Sequence, residues 1–300
     1  MKFWVAVTDP DWYRYLASRH PDEANFWQPT DAPMPRAIVQ GTYFFFKLRK
    51  TNFIAGCGLF VRFLVLPASV AWEAFREKNG TGSYLDLLNR LNQLREDRTT
   101  LDPQIGCNVL SSPVFFAKDQ WIPVPQSWPP TTQRGKTFNT AEADGSALWR
   151  EVTLRLQYAE ADLHQDLPRY GDPQLVRPRL GQGAFRVLVT DAYHRCCAIS
   201  GERTLPALEA AHIKPYAESG PHEINNGLLL RSDFHRLFDA GYLTVSPDLV
   251  VEVSRRIKEE FENGREYYRY HGQKLVFLPE AENERPSRQF LEWHNKRFLG

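Results

Sequence analysis

The 300-residue chain is 42% apolar and nearly neutral, with 37 Lys+Arg against 36 Asp+Glu, enough apolar content for two ordinary domains with real cores. Residues 1–150 carry 17 Lys+Arg against 14 Asp+Glu, and residues 151–300 carry 20 against 22, so neither half is a basic block and any nucleic-acid surface must be local. No apolar run reaches the ~18 residues of a membrane helix, and the four cysteines (Cys57, Cys107, Cys196 and Cys197) form neither a secreted disulfide framework nor a CxxC zinc ribbon.

In chain order, Phe3-Trp4-Val5-Ala6-Val7 predicts a first strand. The opening is too short and too soon polar for a signal peptide, so a cytoplasmic location and no membrane partner are expected. Thr8-Asp9-Pro10 caps a short helix over 11–19. Gln28 precedes Pro29 and is pushed out of helical geometry, which makes 25–30 a turn-rich segment. Strands are predicted at 41–48 and 52–66, the second with Gly56 and Gly58 marking a bulge or a close backbone approach. Helices follow at 69–78 and 83–97 by apolar spacing, then strands at 105–110 and 114–116.

Most aromatics of this half are expected in the core. Trp27 sits in the polar turn beside Asn25, and Trp12 lies early in the short helix; two such indoles suit the two faces of a flat base. With Phe3-Trp4-Val5-Ala6-Val7, Asn25-Phe26-Trp27, the 41–48 strand and Gly56-Cys57-Gly58-Leu59-Phe60, residues 1–125 resemble an EVE-type domain of the PUA-like superfamily. The resemblance implies a small β-barrel that binds nucleic acid, in some members through a flipped, modified base. Trp12, Trp27 and Asn25 are its candidate contacts.

Prolines 123, 125, 129 and 130 and a polar run read as a boundary. The expected organisation is 1–128, a linker 129–150, and a second domain 151–300. Apolar spacing predicts a helix over 147–166, broken by Pro168, Gly171, Pro173 and Pro178. Gly181 and Gly183 do not make a phosphate loop: the spacing is not GxGxxG and no Lys-Ser/Thr pair follows. A helix over 187–193 comes next, with Arg179, Gln182 and Arg186 as candidate phosphate contacts.

The stretch 208–241 holds His212-Ile213-Lys214-Pro215, then Asn225-Asn226-Gly227 before three leucines, then Ser232-Asp233-Phe234-His235-Arg236-Leu237-Phe238-Asp239. His235 and Asp239, four apart, share a helix face. This order of parts resembles the HNH (ββα-metal) nucleases, closest to the restriction-type branch without structural zinc. The resemblance implies that His212 is the general base, suited by a pKa near neutrality. It implies that Asn226 orients the base, Asn225 being the alternative, and that His235 is a ligand of the ion, with Asp239 as a second. The usual acidic or His ligand before the base is here Ala211, and Glu209, two residues upstream, is the candidate substitute. A divalent cation, Mg²⁺ or Mn²⁺, is implied, and no structural zinc is expected because Cys197 stands without partners. Gly227 is expected to permit the turn into the second strand. His222, in the motif loop, is expected at the surface, and His271 and His294 as structural or exposed.

Strands at 242–245, 250–253 and 274–279, a polar helix near Lys258 and a final helix over 287–298 complete the chain. The expected fold class is α+β, a PUA-like β-barrel with helices followed by a ββα-metal HNH domain. The expected function is modification-dependent DNA restriction by metal-assisted hydrolysis, after recognition of a flipped cytosine or its methyl or hydroxymethyl form. A homodimer is expected because double-strand cutting needs two sites. The alternative is an HNH scaffold that binds nucleic acid but has weak or no activity, favoured by Ala211.

Overall fold

The computed structural model describes residues 1–97, 99–163 and 179–300, so the breakers at 168–178 lie outside the described residues. The chain divides into two compact units, Met1–Gly181 and Gln182–Gly300.

The first unit runs β1 (Lys2–Thr8), α1 (Pro10–Ala17), β2 (Glu23–Gln28), β3 (Tyr43–Leu48), β4 (Phe53–Pro67), α2 (Ala68–Phe75), α3 (Tyr84–Leu94), β5 (Gln104–Phe115), β6 (Ile122–Pro123), β7 (Gly135–Asn139) and α4 (Ala143–Leu163). Its sheet has the order β2-β5-β4-β3-β1-β7, with β6 on β4. Only β1–β3 is parallel among these pairings.

Every residue of β3, YFFFKL, is buried, because both faces of the sheet are covered. Phe3, Phe45 and Phe138 pack with Leu148, Trp149, Val152 and Leu156 of α4 on one face. Phe44 and Phe46 pack with Trp12, Tyr13 and Leu16 of α1 on the other. Alternation of side chains along a strand sends neighbouring phenylalanines to opposite cores, so an unbroken aromatic run is what a doubly covered strand requires. At Gly56 an added Cβ would lie 2.3 Å from the Val114 carbonyl oxygen, which bears out the close approach, and the β4–β5 register also shifts between Cys57 and Leu59.

Three expectations are corrected. The sheet is not a closed barrel: its end strands β2 and β7 are not hydrogen-bonded to each other, and closure needs the last strand to pair with the first. The Asn25-Phe26-Trp27 turn is strand β2, paired antiparallel with β5 from Glu23↔Ser111 to Gln28↔Gly106. The stretch 129–150, expected as a linker, supplies β7, which pairs with β1 from Lys2↔Asn139 to Ala6↔Gly135, and the start of α4. The partner of β7 is about 130 residues away, so local Pro and Thr content carried no sign of the pairing.

The second unit runs α5 (Gln182–Ala192), β8 (Leu208–His212), β9 (Gly227–Arg231), α6 (Ser232–Asp239), β10 (Leu243–Val245), β11 (Val251–Val253), α7 (Arg256–Phe261), α8 (Arg265–Tyr268) and α9 (Arg288–Asn295). β8 and β9 form an antiparallel pair, His212 opposite Gly227. The expected strand 274–279 reduces to one bridge, Val250↔Lys274. One core joins Phe185 and Val189 of α5, Ala211, Leu228–Leu230, Phe234 and Phe238 of α6, and Leu291 of α9. Gly227 is needed for space rather than for its φ, which is −128°: an added Cβ would lie 2.5 Å from Val189 Cγ2.

Among the described residues no helix is long and apolar enough to cross a membrane.

Candidate active site

α6 places its polar face by burying its apolar one. Phe234 and Phe238, one turn apart, are both 0% exposed, so the adjacent pair His235 and Asp239 is turned into a cleft of about 450 Å³. Glu209 and His212 enter the same cleft from β8, and Gln182 and Arg186 from α5. The antiparallel pair β8–β9, with α6 following β9 directly, thus gathers residues 209–239 around one cavity.

His235 lies between two carboxylates. Its Nδ1 is 2.6 Å from Glu209 Oε2 and its Nε2 is 3.3 Å from Asp239 Oδ2. Burial works against the charge on Glu209, but hydrogen bonds from His235 and Ser232 outweigh it and hold the carboxyl below its ordinary range. Asp239 moves up: burial raises it, and the Glu209 charge adds to that against the opposing pull of His235. Two carboxylates against one imidazole leave an excess of negative charge and oxygen donors, a set that suits a hard divalent cation. Among the described residues no three His, Cys, Asp or Glu side chains form a ready-made metal cage, so substrate phosphate and water would have to complete the coordination.

His212 is pinned by its neighbours. Its ring stacks on Phe185 at 3.8 Å and 10°, and its Nε2 lies 2.9 Å from His222 Nδ1. Burial, then the charges of His222 and His235, lower its pKa to about 4, so the imidazole is neutral at physiological pH. Asn226 is 0% exposed. Its Oδ1 accepts from the Lys214 N–H, and its Nδ2 donates to the Lys214 and Pro221 carbonyls, each at 2.9 Å. The Asn226 carbonyl accepts from the Ile213 N–H. Asn226 therefore ties both ends of the loop that follows His212. Asn225 makes no comparable set of bonds: its side-chain oxygen is buried without a partner.

Ala211 is buried in the apolar core, on the opposite strand face from His212, and offers the cleft nothing. Arg179 is exposed and belongs to the first unit. Also in the first unit, Trp12 is 3% exposed; its ring meets Phe26 and Phe46 edge-on, and its Nε1 donates to the Asn25 carbonyl. Asn25 is 0% exposed, with Nδ2 on Asn79 Oδ1 at 2.9 Å. Trp27 is partly exposed and donates from Nε1 to the Asn79 carbonyl. Trp12 and Asn25 are thus interior groups, and the expected pair of open indoles reduces to Trp27.

Sequence reasoning missed His222, Tyr216, Trp293 and Arg297. The last three line the cleft, and Lys214 and Arg297 both lie over the Trp293 ring. The proximity of His222 to Asn226 in one tied loop was the available signal; α9 carried none.

His294, also at the cleft, is a buried structural group, 5% exposed. Its Nε2 lies 3.0 Å from the Phe238 carbonyl and its Nδ1 2.7 Å from Thr244 Oγ1. The carbonyl can only accept, so Nε2 carries the proton and Nδ1 accepts from the hydroxyl. Burial lowers its pKa from 6.5 to about 4. The unfolded chain binds this proton more readily, so the stability from neutral His294 is full above pH 6.5 and is lost as pH falls towards 4. The loss from this residue is expected to reach at most about 3 kcal/mol. Urea unfolding at pH 7.5 and 4.5 checks it: His294→Gln is expected to show a smaller drop than the wild type.

The family of HNH endonucleases matches residues 197–246. No curated protein matches the chain. Among solved structures, the modification-dependent TagI restriction endonuclease is similar at a TM-score of 0.28 and 13% identity, over 90% of this chain and 66% of that one. The type IV phosphorothioation-dependent restriction endonuclease ScoMcrA is similar at 0.20 and 16%, over 78% and 52%. This chain therefore spans less than two thirds of the length of either. Residues 197–246, which hold His212, Asn226, His235 and Asp239 in one loop-and-helix frame, are thus the part of the chain that matches the HNH endonuclease family.

Proposed function

We propose that the protein is a DNA endonuclease directed by base modification. The observation that carries the catalytic part is a neutral imidazole, His212, in one cleft with the Glu209–His235–Asp239 cluster. His212 takes a proton from water as the water oxygen bonds to phosphorus; the ester P–O bond breaks and the leaving oxygen is protonated from solvent. Asn226 holds the loop that carries His222 back to the base. A divalent cation bound by His235 and Asp239, with Glu209 as ligand or as partner of His235 Nδ1, would offset charge at the scissile phosphate. Gln182 and Arg186 on α5 contact flanking phosphates. One ion per site and a homodimer for double-strand cutting are part of the proposal.

The recognition part rests on the resemblance of residues 1–125 to EVE-type domains, with Trp27 as the base contact. The test is cleavage of supercoiled plasmid carrying cytosine, 5-methylcytosine or 5-hydroxymethylcytosine, with Mg²⁺ or Mn²⁺ and with EDTA. Cutting that EDTA abolishes and that differs between the plasmids is expected, and Trp27→Ala is expected to reduce the difference. Equal cutting of all three removes the modification reading; no cutting of any overturns the nuclease mechanism.

A further inference from the structure

We infer that His222 is a positioning residue for the base: its Nδ1 accepts the Nε2–H of His212, which leaves His212 Nδ1 as the nitrogen that takes the proton from water. The inference deepens the reading of His212 as general base and rests on it.

A neutral imidazole has one N–H and one lone pair. For His212 the nitrogen that faces the protein is Nε2, 2.9 Å from His222 Nδ1, and no hydrogen bond among the described residues reaches its Nδ1. Two assignments of the shared proton are possible. With His222 donating, the lone pair of His212 is spent on His222 and its remaining nitrogen is an N–H, which cannot act as a base. With His212 donating, the lone pair sits on Nδ1. Only the second agrees with a base.

The surrounding rings hold this pair in place. Phe185, 1% exposed, lies parallel to His212 and prevents it from tipping. Tyr216 lies parallel to His222 at 4.6 Å and 11°, while itself 67% exposed. The two histidines meet edge to face at 5.0 Å and 61°. They are joined across the loop that Asn226 ties at Lys214 and Pro221, and Pro221 is the residue before His222. Tying the loop thus delivers the acceptor to the base. With His222 neutral, as an acceptor at Nδ1 must be, the bond from Nε2 becomes charge-assisted and stronger when His212 takes its second proton on Nδ1; only a charged His222 opposes that proton. The gain appears with the charge, so it favours the transition state over the resting enzyme.

His222→Phe keeps a flat ring against Tyr216 and removes the acceptor. His222→Asn returns an acceptor oxygen near the place of Nδ1. With the full-length protein and plasmid DNA in Mg²⁺, His222→Phe is expected to lower kcat about 10- to 100-fold with KM within about twofold, since a base in the wrong tautomer loses rate rather than binding. His222→Asn is expected to recover most of that loss. In wild-type protein, ¹⁵N chemical shifts of the His212 ring should show a protonated Nε2 and an unprotonated Nδ1, and the shifts should converge in His222→Phe as both tautomers populate. Three results overturn the inference: wild-type kcat in His222→Phe, equal loss in Phe and Asn variants of unchanged melting temperature, or a protonated Nδ1 in the wild type. If His212→Ala cuts as fast as wild type, it is the reading of His212 as base that fails, and the two failures are distinguished.

Discussion

Cleavage by His212→Ala is expected to fall about 10²- to 10⁴-fold, the usual contribution of a positioned general base. The side chain is partly buried against Phe185, so the variant also loses a stacking contact. An unchanged melting profile would separate the chemical effect from the structural one. The same geometry sets the pH response. Burial, with the charges of His222 and His235, lowers His212 to about 4. A base works unprotonated, so its active form is present above that value and lost below it. Between pH 7.5 and about 5 the His212-dependent rate is therefore expected to stay flat, where an exposed histidine would already be losing it near 6.5. Plasmid-nicking rates across this range check it, with linked loss of fold excluded by circular dichroism at each pH. A limb centred near 6.5 in folded protein would contradict a desolvated base.

The second large effect is expected at Asn226. Truncation to alanine removes three part-buried side-chain hydrogen bonds and leaves the Lys214 N–H and the Lys214 and Pro221 carbonyls without the partner that the fully buried Asn226 supplied. Each buried group left unpaired costs about 1–3 kcal/mol, so a net loss of about 2–4 kcal/mol is expected, less if water enters. Asn226→Asp should be no milder. It keeps the acceptor for the Lys214 N–H but sets a carboxylate oxygen against two carbonyl oxygens. Because the loop then no longer holds His222 at the base, both variants should lose activity more steeply than stability alone explains. Urea denaturation and single-turnover cleavage under conditions where the variants remain folded measure the two effects separately. An Asn226→Ala protein of wild-type stability would show that the loop is held by other contacts.

The placement of the candidate site residues in the second unit was legible because its information is local. His212, Asn226, His235 and Asp239 fall within 28 residues, and each is placed by an element that its neighbours specify. Leu228–Leu230 make a buried strand; Phe234 and Phe238 decide which face of α6 is polar. Glu209 was legible as a partner of the cluster, although it meets His235 rather than replacing Ala211 at the same place. The role of His222 was not legible, since its distance to His212 depends on how Asn226 closes a loop. Trp293 and Arg297, some 80 residues beyond His212, reach the cleft only through the packing of α9 on the core.

The first half shows the reverse. Strand positions such as β3 and β4 follow from composition, and the aromatic run at 43–46 reads as sheet from residue type alone. Their order was not. The open edges β2 and β7, the parallel β1–β3 pair and the use of 135–139 as a strand are set by pairings across the whole unit, and local sequence holds no term for a partner chosen a hundred residues away. Trp12 illustrates the consequence: an indole early in a short helix is compatible with a base pocket or a core, and only the packing of α1 on Phe46 and Phe26 decided for the core. What the amino-acid sequence determined by itself is the ββα unit and the set of polar side chains it carries, because residue type and short spacing specify both. The tertiary structure alone decided which groups beyond that unit touch His212 and that the first sheet stays open, because both depend on long-range packing.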